Sequence, residues 1–124
     1  MDIIQYDEFD NVFYVEDFKQ ELVELKKQDR GFAKWLFKRL SMLSTNAALQ
    51  TDGVRFEELD NEELYAIRRP ESRFNQRVIY YIVSEDNSVI LLSAFREVHG
   101  RRDYKPAINN ANSRLNNLRK EGLL

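Results

Sequence analysis

The second half of the chain concentrates the side chains that could bind a phosphate or move a proton. Residues 65–124 carry 11 basic and 6 acidic side chains, whereas residues 1–64 carry 8 basic and 15 acidic ones. Arginine offers a planar fork of donors that fits a phosphate, and histidine exchanges a proton near neutral pH. The pattern favours a phosphate-bearing partner such as a nucleic acid, and the alternative is a solvated surface with a chance asymmetry. The residues concerned are Arg68, Arg69, Arg73, Arg77, Arg96, His99, Arg101, Arg102, Tyr104 and Lys105.

Other kinds of site lack the residues that they need. The chain has one histidine and no cysteine, which excludes disulfides, thiolate ligands and a typical zinc site. It contains neither a Gly-rich phosphate loop nor a Ser/His/Asp arrangement at a known spacing. A run of carboxylates is better explained as a solvated loop than as an acid–base pair, because charged runs usually face water. These carboxylates are Glu57, Glu58, Asp60, Glu62 and Glu63.

Length and composition predict a single globular domain over residues 1–124. The chain is 43% hydrophobic, which is enough for a real core. No apolar run approaches the roughly 20 residues needed to cross a bilayer. Residues 1–7 do not read as a secretory signal, and the absence of cysteine is compatible with a reducing compartment. We therefore expect a cytoplasmic protein with no membrane partner.

Two short β segments and two amphipathic helices are predicted in the first half. Residues 3–6 and 12–14 are apolar segments on either side of a polar turn. A second helix is expected over residues 32–43, after the break at Gly31. The first helix is expected from a stripe of apolar residues at helical spacing, Phe18, Leu22 and Leu25.

The second half is predicted to form three strands and a helix. Residues 64–69 make a plausible strand. Residues 77–83 are β-branched and aromatic, which is typical of a central strand covered on both faces, and they should form an antiparallel hairpin with residues 89–95. A polar loop over residues 96–105 leads into a last helix that has Pro106 in its first turn.

Four of these segments resemble a known family, in the family's order and spacing. Residues 64–68 look like the "LYELR" strand of the phage-derived Gp49-like and HigB-like proteins of the RelE superfamily. Residues 77–81 are similar to their "RVLYF" strand, and residues 90–95 resemble "IVLLHGF". The family's "EIxxAxxR" helix is matched by Ile108, Ala111 and Arg114.

The resemblance implies both a fold and a function. The implied fold is of the α+β class, a small twisted antiparallel sheet with two N-terminal helices packed on one face and a C-terminal helix. The implied function is that of a toxin from a toxin–antitoxin pair, a metal-independent endoribonuclease (mRNA interferase) without a cofactor. Its expected partners are mRNA, the ribosome and a small helix-turn-helix antitoxin. The alternatives are a gyrase-directed or purely protein-binding relative without nuclease chemistry, and a degenerate phage-derived copy.

The implied nuclease chemistry gives individual residues a role. RNA is cut when its 2′-hydroxyl attacks the neighbouring phosphate, which requires a base, an acid and donors for the developing charge. Arg77 would hold the scissile phosphate, unless it is merely paired with an acidic neighbour such as Glu57 or Glu58. Candidate catalytic residues are Arg77, Arg68, His99 and Tyr104. Phosphate or RNA binding is expected of Arg69, Arg73, Arg96, Arg101, Arg102 and Lys105.

The loop over residues 96–105 departs from the family. Relatives carry a lysine-rich "FxKKxxKTP" segment there, whereas this loop has about one residue more and no lysine pair. Glu97 adds a negative charge that does not suit a phosphate. Arg101 and Arg102 can compensate electrostatically, but an arginine stays protonated and is a poor proton shuttle. His99 and Tyr104 are then the candidates for proton transfer, with simple exposure and packing against the last helix as the respective alternatives.

Overall fold

The computed structural model describes residues 2–50, 55–59, 63–69 and 75–124. Several residues named in the sequence analysis lie outside these ranges, namely Asp60, Glu62 and Arg73.

Within these ranges the chain forms one sheet and three α-helices. No helix of the described residues is long and apolar enough to cross a membrane. The helices are α1 (Glu16–Gln28), α2 (Phe32–Asn46) and α3 (Tyr104–Lys120), and two short 3₁₀ helices cover Ala47–Leu49 and Gly100–Asp103. The strands are β1 (Ile3–Gln5), β2 (Val12–Val15), β3 (Phe56–Glu58), β4 (Tyr65–Arg68), β5 (Gln76–Ile82) and β6 (Val89–Arg96).

The strand order β1-β2-β6-β5-β4-β3 confirms the predicted fold class and corrects one detail of the sheet. The predicted hairpin is confirmed, since β5 and β6 pair antiparallel. The sheet is mixed rather than antiparallel, because β2 runs parallel to β6. Such a pairing joins strands that are distant in sequence through a long crossover, and no local pattern encodes it.

A strand lies where the sequence indicated a solvated loop. Residues 56–58 form β3 at the edge of the sheet and pair antiparallel with β4. Phe56 and Leu59 are buried on either side of the acidic pair, and this burial draws the segment into the sheet. The side chain of Glu57 is only 14% exposed, so the prediction of a solvated carboxylate is wrong at this position.

The strand register places Arg68 and Arg77 on one face of the sheet. Arg68 pairs with Arg77 across β4 and β5, and Arg77 pairs with Phe95 across β5 and β6. Residues paired directly across neighbouring strands project to the same face. Helix α3 covers this face, since the rings of Phe95 and Tyr104 meet edge to face with centroids 5.0 Å apart.

Helices α1 and α2 cover the other face. Side chains alternate along a strand, so Arg69 and Gln76 point away from Arg68 and Arg77. Both contact Asp29, which follows the last residue of α1. The stripe predicted for α1, Phe18, Leu22 and Leu25, is buried, as are Phe32, Trp35, Leu36, Leu40 and Leu43 of α2. The sheet is therefore sandwiched between two helical layers.

An ion pair provides hydrogen-bond partners for the edge of β6 beyond the end of β2. β2 accompanies β6 only as far as the pair Tyr14↔Leu91, and α1 begins two residues after Tyr14. Beyond that point the N–H of Ala94 donates to Glu21 Oε1 at 3.0 Å, and Arg114 Nη1 donates to the Leu92 carbonyl at 2.7 Å. Glu21 and Arg114 also bind each other through two hydrogen bonds, of 2.8 and 3.0 Å. The pair thus ties α1 and α3 to a strand edge that would otherwise lack partners.

We predict that Arg114→Met lowers the free energy of unfolding by about 2 kcal/mol, because it leaves the Glu21 carboxylate and the Leu92 carbonyl without their donor. Denaturant unfolding followed by the fluorescence of the single tryptophan measures the loss. Lys120→Ala, an exposed change on the same helix, is the control and should stay within about 0.5 kcal/mol of the wild type. Equal stability of the two variants would show that the Glu21–Arg114 pair does not stabilise the edge of β6.

Candidate active site

Three arginines and two carboxylates meet at one end of the sheet, on the face that α3 covers. They come from β3, β4, the start of β5 and the segment that follows β6. We call them the arginine–carboxylate cluster, Glu57, Arg68, Arg77, Glu97 and Arg101. Their contacts decide which of the predicted residues can act together.

Arg77 is the most deeply buried member of the cluster, at 5% exposure. Its Nε lies 3.2 Å from Glu97 Oε1, and its Nη1 donates to the Gln76 carbonyl at 2.8 Å. An ion pair with Glu57 or Glu58 was the alternative to phosphate binding for Arg77, and the structure pairs it with Glu97 instead. A guanidinium has five N–H donors, and these two contacts leave further donors for an incoming anion.

Glu57 stands between the other two arginines. Its Oε2 lies 3.4 Å from Arg68 Nε, and its Oε1 lies 2.7 Å from Arg101 Nη2. The hydrogen bond that Arg101 donates to Glu57 raises the pKa of Arg101 above its ordinary value. The carboxylate thereby connects β3, β4 and the loop after β6, and it holds Arg101, which is otherwise largely exposed, over the sheet.

Tyr104 forms the floor of the cluster. The guanidinium of Arg101 lies over its ring, 4.7 Å from the ring centroid. Burial raises the pKa of the Tyr104 phenol above 10.0; Arg77 opposes this effect, and the charges of Glu57 and Glu97 add to it. Tyr104 is therefore a neutral phenol at ordinary pH, able to donate or accept one hydrogen bond.

A groove of about 490 Å³ opens beside these residues, between β3 and the first turns of α3. It brings two residues predicted to bind phosphate, Arg101 and Lys105, next to Tyr104. Its lining is mixed polar and apolar, which suits a nucleotide with a charged backbone and a flat base. The lining residues are Glu57, Leu59, Arg101, Tyr104, Lys105, Ile108 and Asn109.

The loop that carries His99 is organised by Asp103. The Asp103 carboxylate accepts the backbone N–H groups of Val98 and His99, both at 2.5 Å. The backbone hydrogen bond from His99 is the main cause that lowers the pKa of Asp103. The His99 side chain is exposed, and its ring forms no hydrogen bond or ion pair with the described residues. The structure thus orders the backbone at His99 but does not bring its imidazole into the cluster.

The remaining predicted residues lie apart from the cluster. Arg69 is on the opposite face, where it pairs with Asp29 and lies over the Trp35 ring. Arg96 and Arg102 are exposed, and Arg96 is paired in register with Gln76, on the face away from Arg77. Arg73 falls outside the described residues.

The sequence pointed to the arginines but missed the role of the carboxylates. Glu57 and Glu97 supply every carboxylate contact that the three arginines make among the described residues. For Glu57 there was a signal, because Phe56 and Leu59 bracket the acidic pair with apolar residues, as in a short edge strand. For Glu97 the sequence offered only its charge.

The cluster is electrostatically almost balanced. Three guanidinium groups face two carboxylates, which leaves one net positive charge, and Lys105 adds another at the groove. The carboxylates hold the arginines in fixed orientations, as donors must be held if they are to stabilise a developing charge. No group of three metal-ligating side chains occurs in the part of the chain that the structure describes.

The architecture that positions the cluster has a counterpart among solved structures. It is similar to E. coli toxin RelE, solved in the free state as a variant with two arginines replaced by alanine, with a TM-score of 0.54 and 18% sequence identity. The similarity covers 79% of this chain and 93% of that chain. The chain has a RelE-like fold. No family model matches the sequence, and no curated protein matches it. The RelE-like fold is thus shown, whereas the HigB-like, Gp49-like and phage-derived assignments remain predictions.

We predict that alkaline pH weakens the folded state partly through Tyr104. A phenol whose folded-state pKa is raised contributes stability below its unfolded value of 10.0, and this contribution is lost as the pH rises through the folded-state value. Between about pH 9 and about pH 11, Tyr104→Phe should therefore lose less stability than the wild type. Denaturant unfolding at the two pH values measures the loss of stability in each protein. Tyr6 contributes equally to both losses and does not affect their difference. Equal losses would mean that Tyr104 is not desolvated.

Proposed function

We propose that this protein is the toxin of a toxin–antitoxin pair and that it cleaves mRNA, on the ribosome, without a metal ion. The observation that carries the proposal is the arginine–carboxylate cluster, which opens onto a groove on a RelE-like fold. Ribosome dependence and the helix-turn-helix antitoxin come from the sequence resemblance and belong to the proposal as expectations. The contacts of the cluster support a specific division of work.

Arg77 holds the scissile phosphate in this proposal. Its guanidinium is buried, fixed on two sides by Glu97 and the Gln76 carbonyl, and it keeps donors for a phosphate oxygen. A rigid donor in a desolvated site stabilises the charge that develops on the phosphate oxygens more than a mobile donor in water does. Arg68 and Arg101 add positive charge on the side of Glu57.

In this proposal, side chains close to the bound phosphate transfer the protons. The Glu57 carboxylate accepts hydrogen bonds only and lines the groove, so it can take the proton of the attacking 2′-hydroxyl. Tyr104, neutral and beside Arg101, can donate to the same phosphate or stack on a base. His99 is the candidate for protonating the leaving 5′-oxygen, which requires its exposed side chain to turn toward the bound RNA.

One observation favours the second candidate function, a RelE-like protein that binds a protein target and cuts nothing. In the free protein Glu97 occupies the place beside Arg77 that a phosphate oxygen would take. A phosphate must displace this carboxylate or share Arg77 with it. The gyrase-directed and degenerate alternatives both fit a cluster that keeps its internal ion pairs permanently.

We predict that inducing the protein alone arrests bacterial growth and produces cuts within the coding regions of translated messages. Primer extension on messages from induced cells locates the cuts, and co-expression of the neighbouring gene, if it encodes the antitoxin, should restore growth. Growth arrest with intact messages would indicate the gyrase-directed alternative. Normal growth with soluble, folded protein would indicate the degenerate copy.

We also predict that Arg77→Ala lowers the rate of cleavage by about 10²–10³-fold, since it removes a fixed donor from the site of developing charge. Arg77→Lys keeps the charge but loses the planar fork, so most of the loss should remain. Cleavage of a defined RNA under single-turnover conditions measures both variants, and circular dichroism reports their folding.

The matched control for this experiment is Arg119→Ala. Arg119 is also ion-paired, 2.7 Å from Glu63, but its partner lies outside the cluster. The Arg119→Ala variant should therefore cleave RNA at close to the wild-type rate. Because Arg77→Ala leaves Glu97 unpaired, Arg77→Ala with Glu97→Ala removes both charges and tests the site without that penalty. Full activity of the folded double variant would place the active site elsewhere.

A further inference from the structure

Helix α2 carries a concentration of positive charge that the proposed cleavage site does not use. Between Asp29 and Asp52 the sequence contains four basic residues and no acidic one. Lys34 and Lys38 lie one turn apart on the exposed side of α2. Neither forms an ion pair with any described residue, in contrast to the arginines of the cluster. This surface lies on the opposite face of the sheet from the cluster.

A groove of about 420 Å³ runs along this surface. Asp29 pairs with Arg69, whereas Lys34, Lys38 and Arg39 form no ion pair with any described residue. The groove is lined by Gly31, Lys34, Trp35, Lys38, Arg39 and Arg69. Arg69, predicted from the sequence to bind phosphate, thus reaches a cationic groove, although not the one beside the arginine–carboxylate cluster.

Two buried donors in the same groove lack an acceptor. Trp35 is 7% exposed, and its Nε1 has no hydrogen-bond partner in the described part of the chain. The same holds for Nε of Arg39, a partly buried residue. Buried N–H donors are nearly always satisfied in folded proteins, so these two mark a part of α2 whose polar contacts are incomplete in the free protein.

We propose that the α2 groove binds the phosphodiester backbone of RNA. The exposed Lys34 and Lys38 would neutralise phosphates beside the Trp35 side chain. The Trp35 ring is itself held in place by the Arg69 guanidinium, which lies 5.7 Å from the ring centroid. The site is independent of cleavage, because it lies across the sheet from Arg77 and needs no reacting group.

The composition of the groove favours RNA over an acidic peptide. A peptide is normally recognised through a free strand edge or through apolar pockets for its side chains. The lining offers neither, since all of it except Trp35 and Gly31 is cationic and it belongs to a helix and a strand end. Cations combined with one aromatic ring are what single-stranded nucleic acids find in their binding grooves.

The test uses a 2′-O-methyl RNA oligonucleotide, whose methylated hydroxyls cannot attack the phosphate. Binding is therefore measured whether or not the protein is a nuclease. Trp35 is the only tryptophan in the chain, so a change in its emission on titration reports binding at this groove. Affinity is measured by fluorescence anisotropy of the labelled RNA across a salt series.

Lys34→Ala with Lys38→Ala should weaken RNA binding several-fold. It should also reduce the magnitude of the slope of log affinity against log salt by about 1.4, because each phosphate contact on a single strand contributes roughly 0.7 to that slope. Trp35→Phe removes no charge, so it should leave the slope unchanged. The matched control is Lys26→Ala with Lys27→Ala, which removes two charges at the end of α1 and should leave the slope unchanged.

Equal effects of the two lysine pairs would overturn the proposal, as would an unchanged slope in the α2 variant. If hexaglutamate changes Trp35 emission as strongly as the RNA does at equal concentration, the groove takes acidic peptides and the proposal is also wrong. Cleavage by the α2 variant at saturating RNA is measured separately, so failure of this site and failure of the proposed nuclease are distinguishable.

Discussion

Burial of the Arg77 guanidinium is the constraint on which the rest of the site depends. Arg77 is the second residue of β5, which lies between two neighbouring strands, and its side chain lies beneath α3 and is 5% exposed. A charge so far from water requires a partner of opposite charge and acceptors for its N–H groups. Glu97 and the Gln76 carbonyl supply them. The antiparallel pairing of β5 and β6 brings Glu97 to the start of β5, and the segment that follows carries Arg101 and Tyr104 to the same place.

The balance of charge within the cluster explains how three arginines can lie close together in the folded protein. Uncompensated arginines packed side by side would repel one another, and the carboxylates of Glu57 and Glu97 remove that repulsion while orienting the donors. The same carboxylates compete with a phosphate. Binding RNA would then exchange internal ion pairs for contacts to phosphate, so the cluster contributes orientation and the α2 groove contributes affinity in the account proposed here.

Much of the fold was predictable because its signals are local. The apolar stripe of α1 and the continuous apolar strands β5 and β6 fix their own structure and their packing. The parallel pairing of β2 with β6 was not predictable, because it joins residues more than 70 positions apart. Edge strand β3 was missed because two of its three residues are acidic, and only burial of Phe56 outweighs that signal.

The candidate site was likewise predictable where its signal is local and not where it depends on tertiary structure. Residue type identified the arginines, but strand alternation separates Arg68 from Arg69, which lie on opposite faces and bind different carboxylates. Arg114 matched a family motif, and its role in capping the edge of β6 emerges only from tertiary structure. In the sequence, the charge of Glu97 argued against phosphate binding. In the structure, its carboxylate offsets the free-energy cost of burying Arg77.

The most direct test of this account follows the Arg77 side chain itself while RNA binds. The ¹⁵N–¹H signal of Arg77 Nε, assigned by its disappearance in Arg77→Lys, reports the contact with Glu97 in the free protein. On titration with non-cleavable 2′-O-methyl RNA this signal should shift, because a phosphate oxygen joins or replaces the Glu97 carboxylate. An unchanged Arg77 signal under saturating RNA would contradict the account, since the phosphate would then lie away from the arginine–carboxylate cluster.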